Sequence, residues 1–477
     1  MEFRNKKLEK FEEMLPNQKI AVIGLGVSNI PLIDYLYNKH ADVSVFDDRE
    51  EEKLSKEVIS KIKSYGFKQY LGAGNLENLQ GFDLIFRSPS CLPTKPELVK
   101  EANRGAIITT EIEQLMKLAP CKIIGITGSD GKTTTTTLTA EVLKNAGYTV
   151  YKGGNIGIPL FTKLNEIKPE DIIVLELSSF QLMNMQISPE ISAITNITPN
   201  HLNVHKDYQE YIDAKKTIFK YQNENGILVL NADNEITNSC KDEANGKVIM
   251  FSSKKKLENG FIVDQDGIIK ECNEGIRKHI LDTKDMKLKG IHNFQNACTV
   301  LALTKGLVDV DEAAETIKQF LGVHHRQEYV RTVDGVEWYN DSASTSPTRG
   351  ISALNAFSDK EIVLIAGGAD KNLDYTPIAK PIAEKVKCLI LIGQTANKIY
   401  EAVKKELEKQ NKHLDIHMCE TFKQSLELAK RVAEPGLVVL FSPASTSFDM
   451  FKDMYDRGDK FKEEVMKKQE HRLENVA

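Results

Sequence analysis

The sequence predicts an α/β protein built from three blocks. Short apolar, β-branched runs alternate with stretches of helical character, a pattern typical of parallel sheets covered by helices. At 477 residues the chain is too long for one hydrophobic core, and domains of ~100–200 residues would number roughly three. We place the blocks at residues 1–110, 111–322 and 323–477.

The first block opens with a strand, a turn and a helix. The run KIAVIG (19–24) predicts the strand, GLGVSN the turn, and the residues from Pro31 the helix. A second strand over 43–46 ends at Asp47, and another apolar run covers 83–86 before the block closes near Thr110. These elements predict a βαβ beginning.

The second block repeats this order. A strand over 121–127 leads through GSDGKTTTTT into a helix whose terminal Gly147 suits a C-terminal cap. Further strands are predicted over 171–177, 191–197 and 226–233. Between 247 and 290, short strands with turns such as Asp266-Gly267 predict a small antiparallel addition.

The third block again alternates strands with helices. Its strands are predicted in VEWYNDS, EIVLIAGGADK, CLILIG and GLVVLFSP. Polar groups lie in or beside the strand–loop junctions of this block at Arg326, Asp341 and Lys371. Each alone fits a solvated turn, but α/β folds bind ligands at such strand ends, so some of these groups are expected to face a shared cleft.

Composition excludes several classes of protein. The 63 basic and 68 acidic residues leave a net charge of -5, which gives no overall field to attract nucleic acid or an anionic membrane. Seven cysteines are scattered without a CxxC pair, no run approaches the ~18 apolar residues of a membrane span, and the start lacks a signal-peptide core. We expect a cytoplasmic protein with no nucleic-acid partner and no membrane insertion.

The segment GITGSDGKTTT carries the strongest chemical signal. Backbone N–H groups of a glycine-rich turn after a strand close around phosphates, while Lys132 adds positive charge and Thr133 offers a hydroxyl to Mg²⁺. Ile126 stands where a full Walker A motif has its first glycine. The pattern predicts a nucleoside triphosphate site, against the alternative of a glycine-rich turn with an exposed lysine.

Two further signals lie near this loop in the predicted sheet. Glu176 ends an apolar strand, where its carboxylate can reach a Mg²⁺ held by Thr133, whereas a buried glutamate without a cation would be unfavourable. His201 and His205 follow another strand, although a lone histidine is more often structural than a ligand.

GLGVSN is weaker evidence. It has G-x-G after a strand and Asp47 at the end of the next one, as dinucleotide sites do, but Asn29 replaces the third glycine. The turn favours another phosphate or diphosphate over a nicotinamide dinucleotide, and a purely structural turn is the alternative.

These motifs, taken in order, resemble the Mur ligase family: TGSDGKTT, GGNIGIP, ELSSFQL, NITPNHL, YIDAKKTIF, HNFQNA, HHRQE, NDSAST and GGADK. The similarity covers essentially the whole chain. GLGVSN with FDDR, and the closing SPASTSFDMFKDMYDRGDKF, point to the member that joins D-glutamate to UDP-N-acetylmuramoyl-L-alanine.

The resemblance implies an ATP-dependent acid–amino-acid ligase of cytoplasmic peptidoglycan precursor synthesis, working as a monomer on these two small molecules. It implies a Rossmann-like UDP-binding first domain, a central P-loop ATPase-type domain, and a Rossmann-like third domain for the amino acid. The alanine carboxylate would attack the γ-phosphate of ATP, and the amine of D-glutamate would then attack the acyl phosphate. Two Mg²⁺ ions would assist.

Site residues carried over by position fall into five overlapping groups. Metal ligands would be Thr133, Glu176, His201 and Lys215, the last carbamylated, with Lys132, His201 and Lys215 as the catalytic set. ATP contacts would be Gly128, Ser129, Asp130, Gly131, Lys132, Thr133, Thr134, Asn293, Asn296, Arg326 and Asp341. The UDP substrate would meet Leu25, Val27, Ser28, Asp47, Arg49, Asn155, Ser178 and Gln181, and D-glutamate would meet Thr345, Lys371 and Ser447.

Several positions depart from the family pattern, among them one in the phosphate loop and one near the expected amino-acid site. Asp130 puts a negative charge in the phosphate loop unless it faces away or meets metal. Ala343 stands where many members have a lysine, which puts amino-acid recognition in doubt.

Three other hypotheses stay open at this point. One is another ligase of the Mur and folylpolyglutamate superfamily with a different acceptor or amino acid. A nicotinamide-dependent dehydrogenase would leave the triphosphate loop unexplained. A catalytically silent nucleotide-binding regulator is the third, and amide formation would exclude it.

Overall fold

The computed structural model describes residues 3–199, 204–357 and 361–467. The chain divides into two compact units, one of Met1–Leu281 with Gln295–Thr316 and the other of Asp282–Phe294 with Ile317–Ala477. Three sheets lie in the described residues, each with helices before, between or after its strands, so the α/β class is confirmed. None of the helices in these ranges is both long and apolar enough to cross a membrane.

The first sheet is parallel throughout, in the order β3-β2-β1-β4-β5. Its strands are β1 Lys19–Ile23, β2 Asp42–Asp47, β3 Lys68–Leu71, β4 Leu84–Arg87 and β5 Ile107–Thr109. Its helices are α1 Lys6–Met14, α2 Asn29–Asn38, α3 Lys56–Ser64, α4 Pro96–Asn103 and α5 Glu111–Leu118. Helix α2 begins two residues before the predicted Pro31, because proline is tolerated in the first turn of a helix.

The central sheet has nine strands in the order β14-β13-β12-β11-β10-β9-β6-β8-β7. They are β6 Lys122–Thr127, β7 Val150–Gly154, β8 Ile172–Glu176, β9 Ile191–Ile194, β10 Ile227–Asn231, β11 Lys247–Ser252, β12 Gly260–Val263, β13 Ile268–Asn273 and β14 Ile276–Asp282. Strands β12 and β13 are antiparallel, as predicted, but β12 pairs in parallel with β11. The antiparallel addition therefore continues the main sheet.

The helices that follow along the chain begin with the one after the phosphate loop. They are α6 Lys132–Asn145, α7 Ser179–Leu182, α8 Tyr208–Lys220, α9 Glu235–Ser239, α10 Ile291–Thr304 and α11 Val310–Gln319. Gly147 has a φ of +91° just after α6, and the N–H of Tyr148 donates to the carbonyl of Leu143, which confirms the predicted cap. Helix α6 includes the run of five threonines at 133–137, and four of these five are buried, so packing compensates for their weak helix propensity.

The third sheet lies in the second unit, in the order β15-β16-β20-β17-β18-β19. Its strands are β15 Glu328–Val333, β16 Val336–Asn340, β17 Ile362–Gly367, β18 Val386–Ile392, β19 Asp415–Cys419 and β20 Val438–Phe441, and its helices are α12 Pro347–Asn355, α13 Thr376–Lys385, α14 Ala396–Gln410, α15 Phe422–Val432 and α16 Met454–Met466. Only β15 and β16 pair antiparallel. A separate apolar core packs on each face.

Candidate active site

The phosphate loop joins β6 to α6 at the carboxyl edge of the central sheet. Gly128 has a φ of +148° and Gly131 a φ of +81°, and a Cβ at Gly128 would overlap the hydroxyl of Thr195. Both positions therefore require glycine. Lys132 Nζ lies across the loop and donates to the carbonyl oxygens of Gly128 and Ser129, each at 2.8 Å.

Asn196, two residues after the end of β9, holds this loop in place through two hydrogen bonds. Its carbonyl oxygen accepts from the N–H of Ser129 at 2.8 Å, and its side-chain oxygen accepts from the N–H of Asp130 at 3.0 Å. Those two N–H groups are therefore occupied, and the first turn of α6, which includes Thr133 and Thr134, supplies the N–H groups that lack intrahelical partners. The Asp130 side chain is exposed rather than turned into the protein.

Glu176 lies beside the loop, because β8 pairs in parallel with β6 and Ile126 is its register partner. The side chain is 2 % exposed. Its Oε1 accepts from Asn155 Nδ2 at 2.8 Å, whereas its buried Oε2 has no hydrogen-bond partner among the residues that the structure describes. An unsatisfied buried acceptor is unfavourable by about 1–3 kcal/mol, and by more when charged, so this oxygen fits a cation ligand.

The side chain of Lys215, on α8, extends to the phosphate loop at the same edge of the sheet. Its side chain is buried, and Nζ donates to the Gly128 carbonyl at 2.8 Å and lies 4.7 Å from the ring centroid of Tyr211. Burial, and then the charge of Lys132, lower the pKa of Lys215 well below its usual value. The environment therefore favours the neutral amine.

The two predicted histidines have different outcomes. His201 lies outside the described residues. His205 is buried, its Nε2 is hydrogen-bonded to the hydroxyl of Ser179 at 2.9 Å, and its ring stacks on Phe180 at 4.8 Å. His205 is therefore a structural residue here.

Three other predicted side chains contact protein groups near this edge. Ser178 and Gln181 form the capping box of α7, with the Ser178 N–H donating to Gln181 Oε1 at 3.0 Å. Asn296 Oδ1 accepts from the hydroxyl of Thr135 at 3.2 Å, which brings Asn296 to the first turns of α6.

The predicted uridine residues meet at the carboxyl ends of β1 and β2. Asp47 accepts from the Leu25 N–H at 2.7 Å and from Arg49 Nε at 2.7 Å. Burial alone would raise the pKa of Asp47, but hydrogen bonds from Arg49 and from the Leu25 backbone outweigh it and lower the pKa. Val27 is exposed and Ser28 half-buried on the adjoining turn.

Two predicted ATP residues of the second unit, Asn293 and Asp341, are linked through Gln327. One oxygen of Asp341 accepts from the Gln327 N–H at 3.1 Å and the other from the Ser442 hydroxyl at 2.7 Å. Burial raises the pKa of Asp341 to about 7, and the charge of Arg326 acts against that rise. Asn293 Nδ2 donates to Gln327 Oε1 at 3.3 Å.

The three predicted D-glutamate residues lie on loops that follow strands of the third sheet. Thr345 is half-buried, Ser447 is buried, and Lys371 is exposed with Nζ 5.6 Å from the ring centroid of Phe448. Ala343 is the position that departs from the family pattern, and its backbone carbonyl accepts a hydrogen bond from Arg349 Nη1 at 2.9 Å. A guanidinium is therefore present beside the position where many family members have a lysine.

Comparison with known families matches most of the chain. Residues 18–110 match the Mur ligase MurD-like, N-terminal domain, residues 126–304 the Mur ligase middle domain, and residues 325–445 the Mur ligase, glutamate ligase domain. The chain belongs to the Mur ligase family. ATP and Mg²⁺ are consistent with this family.

Curated relatives of this Mur ligase match over nearly its whole length. Proteins named UDP-N-acetylmuramoylalanine--D-glutamate ligase are 45% identical over 96% of this chain and 99% of the relative in Clostridium novyi, and 46% identical over 97% and 99% in Acetivibrio thermocellus.

Solved structures share the fold at lower identity. The UDP-N-acetylmuramate-alanine ligase of Thermotoga maritima aligns with a TM-score of 0.56 at 21% identity, covering 94% of this chain and 99% of that one. A pseudomurein peptide ligase type C from Methanothermus fervidus aligns with a TM-score of 0.53 at 19% identity, covering 94% and 100%.

Sequence reasoning missed two residues that shape these sites. Asn196 holds the phosphate loop through two hydrogen bonds, although its sequence signal is only a place near the end of the strand predicted over 191–197, in the motif NITPNHL. Arg457, on α16, is 1% exposed and donates to the backbone of Ser342 and Thr446, at 2.8 and 3.0 Å. An arginine in a charged helix gives no sign of such burial.

Proposed function

We propose that this Mur ligase adds D-glutamate to UDP-N-acetylmuramoyl-L-alanine with hydrolysis of ATP to ADP and phosphate, a step of peptidoglycan precursor synthesis. The observation that carries the proposal is the set of relatives of that name, 45–46% identical over 96–97% of the chain. The phosphate loop beside Glu176 and Lys215 supports the ATP chemistry.

We assign one role to each block. Residues 1–110 bind the UDP moiety, 111–322 bind ATP, and 323–477 bind the amino acid. The Asp47–Arg49 pair beside the turn after β1 supports the first assignment, since a fixed guanidinium and helix N–H groups suit a diphosphate. We further propose a cytoplasmic monomer.

On the ATP side, the loop from Gly128 to Thr134 holds the phosphates. Lys132 Nζ turns from the carbonyls of Gly128 and Ser129 to the phosphates, a short movement for a flexible side chain. The remaining ATP contacts in our proposal are Asn293, Asn296, Arg326 and Asp341.

Thr133 and Glu176 would hold one Mg²⁺, with His201 and Lys215 on a second. Magnesium would neutralise charge on the transferred phosphoryl group. The unpartnered Glu176 Oε2 supports this assignment, because it lacks a hydrogen-bond donor among the described side chains.

Lys215 is proposed to be carbamylated. Its neutral amine attacks CO₂, a nitrogen–carbon bond forms, and one proton leaves to solvent, so the side chain ends in a carboxylate. The lowered pKa of the amine supports this reaction, since only the neutral form is nucleophilic.

The reaction then proceeds in two displacements. The alanine carboxylate attacks the γ-phosphorus, ADP leaves, and an acyl phosphate forms. The neutral amine of D-glutamate attacks the acyl carbon and loses one proton to solvent, and the tetrahedral intermediate collapses to the amide as phosphate leaves. Lys132 stabilises the charge on the transferred group.

For the acceptor we propose contacts from Leu25, Val27, Ser28, Asp47, Arg49, Asn155, Ser178 and Gln181. D-glutamate is proposed to contact Thr345, Lys371 and Ser447, with the Lys371 ammonium facing one of its carboxylates. Arg349 supplies positive charge near the alanine at position 343.

The test is amide formation by the purified full chain with ATP and Mg²⁺. UDP-N-acetylmuramoyl-L-alanine with D-glutamate should release phosphate and give one new amide by mass spectrometry, while L-glutamate should give far less. Product formed only from UDP-N-acetylmuramate with L-alanine, or only from folate with glutamate, would assign the chain to another ligase. ATP hydrolysis without any amide would contradict ligation.

A further inference from the structure

The edge strand β19 of the third sheet presents an unusual face. Side chains alternate between the two faces of a strand, so Asp415, His417 and Cys419 share one face, while Ile416 and Met418 share the other. Ile416 packs on one apolar core and Cys419 on the core of the opposite face. The sequence thus puts three metal-ligating residue types in a row where apolar residues would be expected.

A second cysteine completes a cluster on the neighbouring strand. Cys388 of β18 is the register partner of Asp415. One ligand atom from each of Cys388, Asp415 and His417 lies within 4.8 Å of the other two. The imidazole Nε2 of His417 lies 3.0 Å from the Asp415 carboxylate.

We propose that Cys388, Asp415 and His417 form a Zn²⁺ site with three protein ligands and one position open to solvent. None of these residues is among those proposed to bind ATP, UDP or D-glutamate. The site is therefore independent of the proposed function.

The donor set suits zinc. Zinc accepts thiolate sulfur, imidazole nitrogen and carboxylate oxygen, with bonds of about 2.0–2.3 Å in a tetrahedron. Tetrahedral ligand atoms at those bond lengths lie about 3.3–3.6 Å apart. The 3.0 Å from His417 Nε2 to the Asp415 carboxylate is shorter than this range, and the other separations are at most 4.8 Å. Rotation of the half-exposed His417 and the exposed Asp415 side chains can bring the ligand atoms to the required spacing.

Exposure also fits the ion, and the charges balance once it is bound. The Cys388 side chain is 4% exposed, whereas those of His417 and Asp415 are 37% and 59% exposed, so the sulfur faces the protein and the open position faces water. A thiolate and a carboxylate balance Zn²⁺, which leaves the partly buried site neutral. On binding, the thiol proton leaves to solvent.

A second cluster provides a contrast. His324, His325 and Glu328 also bring ligand atoms within 4.8 Å of one another. There Lys462 Nζ lies 3.1 Å from the Glu328 carboxylate and 3.4 Å from the His324 ring. Because a lysine ammonium already lies among these groups, we assign no metal to them.

The proposed zinc site would stabilise the pairing of the edge strand β19 with β18. Among the strands that the structure describes, β19 pairs with β18 alone, and the ion would link these two strands through side chains. An edge strand that is held in this way is less available for pairing with another chain.

The experiment is titration of the untagged, chelator-treated full chain with Zn²⁺ by calorimetry, and with Co²⁺ by absorption. We expect a binding event with a thiolate-to-cobalt charge-transfer band. Because loss of even an outer partner of a ligand weakens metal affinity by about 10–100-fold, His417→Ala and Cys388→Ser should weaken this event at least about tenfold. His417 is half-exposed, so His417→Ala should fold and keep the ligase activity of the parent.

Matched controls separate this site from others. His413→Ala removes an exposed histidine just before β19, Cys419→Ser a cysteine on the same strand face, and His324→Ala a member of the second cluster. All three should keep the parent affinity. Equal affinity in folded His417→Ala and the parent, the absence of a thiolate band, or loss of the event in His324→Ala would each overturn the proposal.

Discussion

Buried polar groups beside the phosphate loop of the first unit and in the strand-end loops of the second unit differ in how fully they are hydrogen-bonded. In the first unit a buried carboxylate oxygen of Glu176 lacks a donor among the described residues, and the Lys215 amine is stripped of water. In the second unit both oxygens of Asp341 accept hydrogen bonds, and all three nitrogens of the Arg457 guanidinium donate.

This difference separates two ways to build a site. The first leaves one buried carboxylate oxygen, Glu176 Oε2, without a partner among the described residues, so that an ion can supply the missing interaction. The second satisfies the Asp341 carboxylate and the Arg457 guanidinium internally, so that the protein fixes these two groups before any ligand arrives. Substitutions in the first should therefore lower the rate of the chemical step, and substitutions in the second should lower the stability of the loops that form the frame of the site.

The largest effect is expected for Lys215→Ala. This change removes the amine that we propose is carbamylated, and losing one charge-stabilising group in an active site lowers kcat by about 10²–10³-fold. Added acetate or formate should restore part of the rate by replacing the missing carboxylate. The measurement is phosphate release with each acid present or omitted.

Lys216→Ala is the matched control, because Lys216 is the adjacent residue and forms a partly exposed ion pair with Glu243. It should keep the parent rate. Turnover in Lys215→Ala equal to that of Lys216→Ala would remove Lys215 from the catalytic set.

A smaller loss is expected for Glu176→Gln, about 10–100-fold in kcat. The amide keeps the shape and can still accept from Asn155, but it neutralises the proposed metal ligand. The Mg²⁺ concentration needed for half the maximal rate should rise, while KM for UDP-N-acetylmuramoyl-L-alanine should stay near that of the parent. Glu170→Gln, at an exposed position before the same strand, should change neither quantity.

Parallel losses in Mg²⁺ dependence and acceptor KM would contradict this role for Glu176. They would indicate that its carboxylate serves the acceptor as well as the ion.

Much of the fold follows from local patterns. Apolar runs predicted β1, β6 and β8, because strands buried on both faces are apolar throughout. The parallel pairing of β11 with β12 was not predictable, because the pairing of two short strands depends on their place in the sheet and not on their own residues.

The sites divide in the same way. A loop such as 128–134 has a sequence pattern because glycine geometry and helix N–H groups lie within a few residues. Asn196 lies 66 residues from Asp130, and Arg457 lies 115 residues from Ser342. Contacts of that separation arise from the fold, so no local pattern reveals them.

The smallest effect is expected in the second unit, for Arg457→Lys. Lysine keeps the positive charge but lacks the planar fork, so it cannot reach Ser342 Oγ, the Ser342 carbonyl and the Thr446 carbonyl together. Leaving a buried carbonyl without a donor should lower the free energy of unfolding by about 1–2 kcal/mol. Urea unfolding measures the loss, and hydrogen exchange should quicken in residues 341–346 and 442–447.

Arg331→Lys is the control for this change, because Arg331 donates to the Val465 and Met466 carbonyls from a half-buried position where water can replace it. It should alter stability by less than about 0.5 kcal/mol. If Arg457→Lys lowered kcat as much as Glu176→Gln while leaving stability and hydrogen exchange unchanged, Arg457 would belong to the reacting groups. The contrast between a frame in the second unit and a ligand-completed site in the first would then be wrong.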